Sequence, residues 1–277
     1  MDVLDRTEHS TSSDATGLPR RIFSPIAAGY DRPAMVLSLF QYRRWHRFLL
    51  SRVLLPSGEL RNATTTRPAR PDALVGQAES PRLADAQVLP RLLDMATGTG
   101  AIALDLLQRT DADVIGADIT RPMLLRAQAR TNGRFGTRLR LIECTAEAPP
   151  FADESFDAIT FAYLLRYVGD VPGTLRTLAG LVRSGGTMAS LDFAVPDGAW
   201  YPLWRLYTGA VLPAGGRLFS RDWRDVGAFL GPSIRDFYRR WPEESLLEAW
   251  RKAGFADVRS RRLSLGGAIV IWGRKAG

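Results

Sequence analysis

The stretch Arg91-Leu92-Leu93-Asp94-Met95-Ala96-Thr97-Gly98-Thr99-Gly100-Ala101-Ile102-Ala103 decides the reading of this chain. Its first five residues are a short apolar run carrying one acid, which predicts a buried strand from Arg91 to Met95. Gly98 and Gly100 mark a tight turn. Ala101 to Arg109 then carries Ile102, Ala103, Leu106 and Leu107 at helical spacing. A strand that passes through a glycine-rich turn into a helix presents free backbone N–H groups at the carboxyl end of a sheet.

Taken alone, the turn admits two cofactor classes. Gly98-Thr99-Gly100-Ala101-Ile102-Ala103 fits the dinucleotide pattern G-x-G-x-x-A. Asp118 follows at the spacing of about 20 residues that this fingerprint asks. Asp94 favours the other class. A carboxylate just before the glycines repels a pyrophosphate, but it suits the cationic amino group of S-adenosylmethionine (SAM). Asp118, at the end of the next strand, is placed to accept both hydroxyls of a ribose. Ala96 in the loop and Ile119 beside Asp118 join Gly98, Thr99 and Gly100 as candidate cofactor contacts.

Outward from the turn, the chain alternates. Strands are expected over Asp113–Asp118, Arg138–Glu143, Phe156–Ala162 and Thr187–Phe193. Between them, one helix begins after Thr120 and ends near Gly133. A second holds Val171, Leu175, Leu178 and Val182 on one face and closes at Gly185-Gly186. Such alternation gives an α/β fold with a mostly parallel, doubly wound sheet and helices on both faces. Residues Asp197 to Pro242 break it with rings and arginines. Glu243–Ala253 then reads as a helix, and Phe255–Leu263 with Ala268–Arg274 as a hairpin that makes the last strand antiparallel. That ending is typical of class I methyltransferases, with their Rossmann-like seven-stranded sheet, and not of a dehydrogenase.

The N-terminal third reads differently. Residues 1–19 are polar and are expected to form a disordered tail ahead of one domain over 20–277. Residues 20–55, with Tyr42-Arg43-Arg44-Trp45-His46-Arg47-Phe48, predict a lid of two helices. Residues 56–90, rich in Thr, Pro and Arg without apolar period, read as an inserted loop.

The chain is 45% apolar and 24% charged, enough for a real core. The net charge of +8 suits a membrane surface, nucleic acid or an acidic substrate, although arginine-rich composition alone produces the same sign. Cys144 is the single cysteine, which excludes an intrachain disulfide and a multi-cysteine zinc site. It reads as a small buried hydrophobe, and no His/Cys/acid cluster suggests a metal. No apolar run reaches the length of a membrane span, and the acids near the N-terminus argue against a signal or transit peptide. The location expected is cytoplasmic.

With these pieces in place, the chain resembles the quinone-pathway C-methyltransferases: demethylmenaquinone methyltransferase and 2-methoxy-6-polyprenyl-benzoquinol methylase. The resemblance runs from about Ile22 to Lys275, apart from 56–90. It is carried by Phe23-Ser24-Pro25-Ile26-Ala27, Tyr30-Asp31, Arg43-Arg44-Trp45, the glycine loop, Ala146-Glu147-Ala148-Pro149-Pro150-Phe151 and Ser155-Phe156-Asp157-Ala158. The later pieces are Leu165-Arg166-Tyr167-Val168, Val211-Leu212-Pro213, Pro232-Ser233-Ile234, Ala253-Gly254-Phe255 and Gly266-Gly267. The resemblance implies SAM contacts at Thr99, Asp118, Thr145, Ala146 and Ala162, a prenylated hydroquinone as substrate, and methyl transfer to a ring carbon. Tyr167 stands where the family has Asn, Leu164 where it has Gly, Thr145 where an acid or amide meets adenine, and Pro33-Ala34 where it has Met-Asn.

Two residues are the catalytic candidates. Arg166, whose guanidinium stays protonated, is expected to stabilise the forming phenolate and orient a water that accepts its proton. Tyr30 is expected to hydrogen-bond the same oxygen, with Tyr163 and Tyr167 packing the ring. His9 and His46 are given no role. Trp200-Tyr201-Pro202-Leu203-Trp204-Arg205-Leu206-Tyr207 and Tyr42–Leu50 are expected to line an apolar entrance or pack as a lid, and both suit a peripheral membrane contact. A homodimer is compatible with the sequence. Three alternatives stay open: methylation of another aromatic or polyketide metabolite, a non-catalytic SAM-binding partner, and RNA methylation. The last has only the charge behind it, and no nucleic-acid-binding module is found.

Overall fold

The computed structural model describes residues 11–53, 89–131 and 133–277. Strand β1, Arg91–Met95, turns Leu92 and Leu93 to opposite faces of the sheet, and each joins a different buried cluster. The other strands are β2 (Asp113–Asp118), β3 (Leu139–Glu143), β4 (Phe156–Ala162), β5 (Val182–Phe193), β6 (Phe255–Leu263) and β7 (Ala268–Lys275). They form one seven-stranded sheet in the order β3-β2-β1-β4-β5-β7-β6. Only β7 is antiparallel to its neighbours, as the terminal hairpin predicts. β4 is buried along its whole length, the mark of a sheet covered on both faces. The chain winds outward from β1 in both directions, so the crevice at the carboxyl ends of β1 and β4 is the topological switch point.

The helices, in chain order, are α1 (Thr11–Phe23), α2 (Asp31–Leu37), α3 (Tyr42–Leu50), α4 (Ala101–Arg109), α5 (Arg121–Thr131), α6 (Val171–Leu181), α7 (Trp200–Leu206), α8 (Leu212–Arg217), α9 (Arg221–Arg240) and α10 (Glu243–Lys252). α6 and α10 bury Leu175, Leu178 and Trp250 on one face of the sheet. α3 and α4 bury Leu49, Leu50, Ile102 and Leu106 on the other. α2, α8 and α9 pack together, and α1 and α9 reach the 3₁₀ turn Leu165–Tyr167. A π-helical turn, Tyr207–Val211, joins α7 to α8. α8 and α9 approach so closely that a Cβ on Gly227 would lie 2.6 Å from the Leu212 carbonyl oxygen. Tyr207 donates to the Leu37 carbonyl and ties α2 to this second group of helices.

Three expectations change. The tail reading fails for 11–19, which lie in α1; residues 1–10 fall outside the described residues. The helix is held at its far end, where Arg20 Nε donates to the Ile119 carbonyl at 3.0 Å. The two helices expected in the lid are α2 and α3, and the last residues of α1 join them. The interruption at Asp197–Pro242 is itself helical. Finally, α6 stops at Leu181 and β5 begins at Val182. Val182 pairs with Phe156 and Thr187 with Ala158, so Gly185-Gly186 sit in a bulge inside the strand. Most of the insertion at 56–90 lies outside the described residues.

Candidate active site

The glycine loop opens a cavity of about 120 Å³ at the ends of β1 and β2. Ala96, Gly98 and Thr99 line it from the loop, Asp118 and Ile119 from the end of β2, Thr145 and Ala146 from after β3, and Ala162 from the end of β4. Gly98 has φ +55, and no atom lies within 4 Å of the Cβ position there, so a ligand can approach the backbone. Asp118 is buried and accepts the Gly98 N–H at 2.8 Å and the Thr120 N–H at 2.7 Å. It thus shapes the loop while facing the cavity.

Two of the expected contacts do other work. Asp94 was expected to meet the amino group of SAM directly. It is fully buried and does not line the cavity. Its oxygens accept the hydroxyls of Thr97 at 2.6 Å and Thr160 at 2.8 Å. Burial pushes its carboxyl up to about 7, against these hydrogen bonds and the Ala103 N–H. Asp94 therefore acts from beneath the loop, as a scaffold and a source of negative potential. Gly100, at φ +77, is also absent from the lining; a Cβ there would sit 3.0 Å from that of Ala127, so it sets the packing of loop against α5.

The lid is latched to this cradle. Thr99 Oγ1 donates to Asp31 Oδ1 at 2.7 Å, and Arg130 donates to Asp31 at 3.1 Å and to the Thr99 carbonyl at 3.0 Å. Sequence reading missed this trio because its members lie on three separate elements. It also gave no role to His46, which lies on the arginine-rich helix α3. His46 is 3% exposed and lines the cofactor cavity. Cys144 is half-buried at the same cavity, and burial raises its thiol to about 11, so it stays neutral.

A second cavity, of about 400 Å³, adjoins the first. Five rings, Phe23, Tyr30, Tyr42, Tyr163 and Tyr167, line both and form the wall between them. Trp45, Phe193, Trp200, Trp204 and Trp223 add further rings. Arg166 is the one charged side chain lining this cavity among the described residues. Its side chain is 1% exposed, its Nε donates to Asp192 Oδ1 at 2.9 Å, and its guanidinium lies over the rings of Tyr167 and Phe193. Burial opposes its charge, but Asp192 and then Tyr167 outweigh burial and hold it above the ordinary arginine range. Burial likewise raises Tyr30, Tyr42, Tyr163 and Tyr167. These phenols are donors and not bases. Arg166 and Tyr30 thus both line the second cavity. Asp192, which no motif singled out, completes the pair.

A switch-point crevice with a Gly loop, a β2 carboxylate and a second, aromatic cavity beside it defines a class I SAM-dependent methyltransferase. The comparisons narrow this. The model of the ubiE/COQ5 methyltransferase family matches residues 11–275, and the chain belongs to that family. It is 32% identical over 258 residues to the ubiquinone/menaquinone biosynthesis C-methyltransferase UbiE of Desulfotalea psychrophila, covering 92% of this chain and 89% of that one. It is 31% identical over 264 residues to the protein of that name from Xanthomonas axonopodis pv. citri, covering 94% and 90%. Among solved structures, a SAM-dependent methyltransferase from Thermotoga maritima matches with a TM-score of 0.54 at 17% identity, over 92% of this chain and 99% of that chain. This last likeness concerns the fold. The protein is an enzyme, and SAM is its cofactor. The cavity offers that cofactor the open Gly98 backbone, the Asp118 carboxylate and the Thr145 hydroxyl among apolar side chains.

Proposed function

We propose that the protein methylates a ring carbon of a prenylated quinol, with demethylmenaquinol as acceptor and menaquinol as product. The observation that carries this reading is Arg166, the single buried cation among the described residues that line an otherwise mainly apolar, ring-rich cavity. A cavity of that kind suits a hydrophobic molecule with one site of developing negative charge. The names of the relatives, ubiquinone/menaquinone biosynthesis C-methyltransferases, support the same substrate class.

Bound SAM supplies a methyl group made electrophilic by its sulfonium. The residues of this chain orient and polarise the acceptor. Tyr30 donates to the phenolic oxygen, and Arg166 stabilises the phenolate that forms there. That charge raises the nucleophilicity of the ortho carbon. Among the described residues, no side chain at the wall is a ready base, because its tyrosines are raised; His46, in the cofactor cavity, is lowered to about 3 by burial. Water oriented by Arg166 takes the phenolic proton. Once the ring carbon has gained the methyl and the sulfonium has become a neutral thioether, that carbon loses its own proton to water and the oxygen is reprotonated, which restores the aromatic quinol. The ring wall excludes bulk water and holds the acceptor at contact distance.

The mouth of the second cavity supports a peripheral membrane contact. Leu39, Leu203, Leu206, Val211 and Leu265 line the cavity and are exposed, with Arg205 and Arg217 exposed beside them. No helix among the described residues is long and apolar enough to cross a membrane. Flotation with anionic liposomes at low salt tests this contact; protein that stays at the bottom of the gradient refutes it. The substrate is tested by mass spectrometry of the purified protein with deuteriomethyl SAM, demethylmenaquinol and a panel of small phenols. Label in the quinol ring is the expected result. Label only in a small phenol would overturn the quinol reading.

A further inference from the structure

Four buried side-chain polar atoms lack a hydrogen-bond partner among the described residues: His46 Nε2, Tyr163 Oη, Tyr238 Oη and Trp250 Nε1. His46 alone among them lines the cofactor cavity and not its neighbour. Its imidazole packs on Tyr42, with ring centroids 4.0 Å apart. Burial alone lowers its pKa; no charged side chain contributes. A buried polar atom without a partner is costly, so a ligand is the natural place to find one.

The sheet order says which part of the cofactor lies there. With Asp118 as the ribose contact and Thr145 and Ala146 as the adenine contacts, the ends of β2 and β3 would mark the adenosine side of the cavity. α3, which carries His46, packs on α4, β5 and β7. In the order β3-β2-β1-β4-β5-β7-β6, these strands lie beyond β1, at the opposite end. The amino-acid tail of the cofactor belongs at that end. Its two charges are sorted by the scaffold: the negative potential of Asp94 beneath the loop attracts the ammonium. The first residues of α4, Ala101 and Ile102, also line the cavity, and a helix N-terminus favours an anion.

We infer that His46 is the residue that recognises the α-carboxylate of SAM, donating a hydrogen bond from Nε2 next to the N-terminus of α4. His46 is then a binding and positioning residue. It fixes the amino-acid tail and so the direction in which the methyl faces the ring wall.

The ligand pair that tests this is SAM and decarboxylated SAM, which differ by the carboxylate alone. Titration calorimetry on the wild-type protein should favour SAM by about tenfold to a hundredfold, the size of one hydrogen bond to a charged group. His46→Phe should lose that preference by weakening SAM while leaving decarboxylated SAM unchanged. His46→Gln, which keeps a donor, should retain part of it. Equal weakening of both ligands by His46→Phe, or no weakening of either, overturns the inference. A second measurement needs no variant. The chain has 2 histidines, so ¹⁵N spectra of histidine-labelled protein contain two imidazoles. SAM should shift the His46 Nε2 resonance strongly and decarboxylated SAM should not; equal shifts would overturn the assignment.

Discussion

The cofactor cavity is walled by main chain and small side chains, while the cavity beside it is walled by rings. The first is built at the ends of β1, β2 and β4, so its geometry is inherited from the regular sheet. The second is built by α2, α3 and α7 to α9, which are held together by close helix contacts such as Gly227 against Leu212. Asp94 lies beneath the first cavity and Arg166 lines the second, and these two buried groups are treated oppositely. Asp94 has hydroxyl and amide partners but no cation, and burial drives it toward neutrality. Arg166 has Asp192 and keeps its charge. In the proposed reaction, Arg166 is a permanent cation that meets an anion formed only as the acceptor reacts. Asp94, under the loop, would gain its counterion when a cationic cofactor binds.

The largest effect that would break this contrast concerns Asp94. Its folded pKa, about 7, lies above the ordinary carboxyl range. The folded state therefore binds more protons than the unfolded state between about pH 4 and 7, and stability should fall as pH rises through that window. The expected loss is on the order of 3–4 kcal/mol. Urea midpoints of the cofactor-free protein should show this slope, and Asp94→Asn should reduce it, leaving the part that comes from Asp118 and Asp192, which burial also raises. Saturating SAM should flatten the slope by holding an ammonium near Asp94. A flat wild-type profile would mean that Asp94 has found a cation.

Next in size is Arg166→Ala. Turnover should fall about 100-fold, the cost of one lost charge-stabilising donor, with SAM affinity retained. Near-normal turnover would remove Arg166 from the chemistry. Asp118→Ala should do the reverse: SAM should bind about tenfold to fiftyfold more weakly, while turnover at saturating SAM changes little. The smallest effect belongs to the helix packing. Gly227→Ala should destabilise the protein by roughly 1–2 kcal/mol through overpacking and raise KM for the acceptor but not for SAM. Equal changes in both KM values would show that the two cavities are not separately built.

The same division explains what could be read from the sequence. The sheet, α4, α5 and α10 were legible because their apolar residues repeat at strand or helix spacing. The loop contacts Ala96, Gly98, Thr99, Asp118, Ile119, Thr145, Ala146 and Ala162 all line the cavity, because motif positions at strand ends map directly onto the switch point. The helices α7 to α9 were not legible. Their rings and arginines face both a cavity and the surface, so no clean apolar stripe forms. His46 was missed for a related reason: its neighbours Arg43, Arg44 and Arg47 carry the polarity signal of the helix, and its own buried side faces a ligand cavity. Asp94 sits a layer below the lining, because sequence cannot tell a lining carboxylate from one beneath it.

The central claim is that the ring-lined cavity holds a prenylated quinol. It is tested most directly by comparing kcat/KM for demethylmenaquinol with that for the same ring lacking its prenyl chain, scored as ring-methylated product. Each buried methylene contributes about 0.8 kcal/mol, so even one isoprene unit held in the cavity should favour the prenylated acceptor by about 100-fold or more. Equal values for the two acceptors would contradict the account.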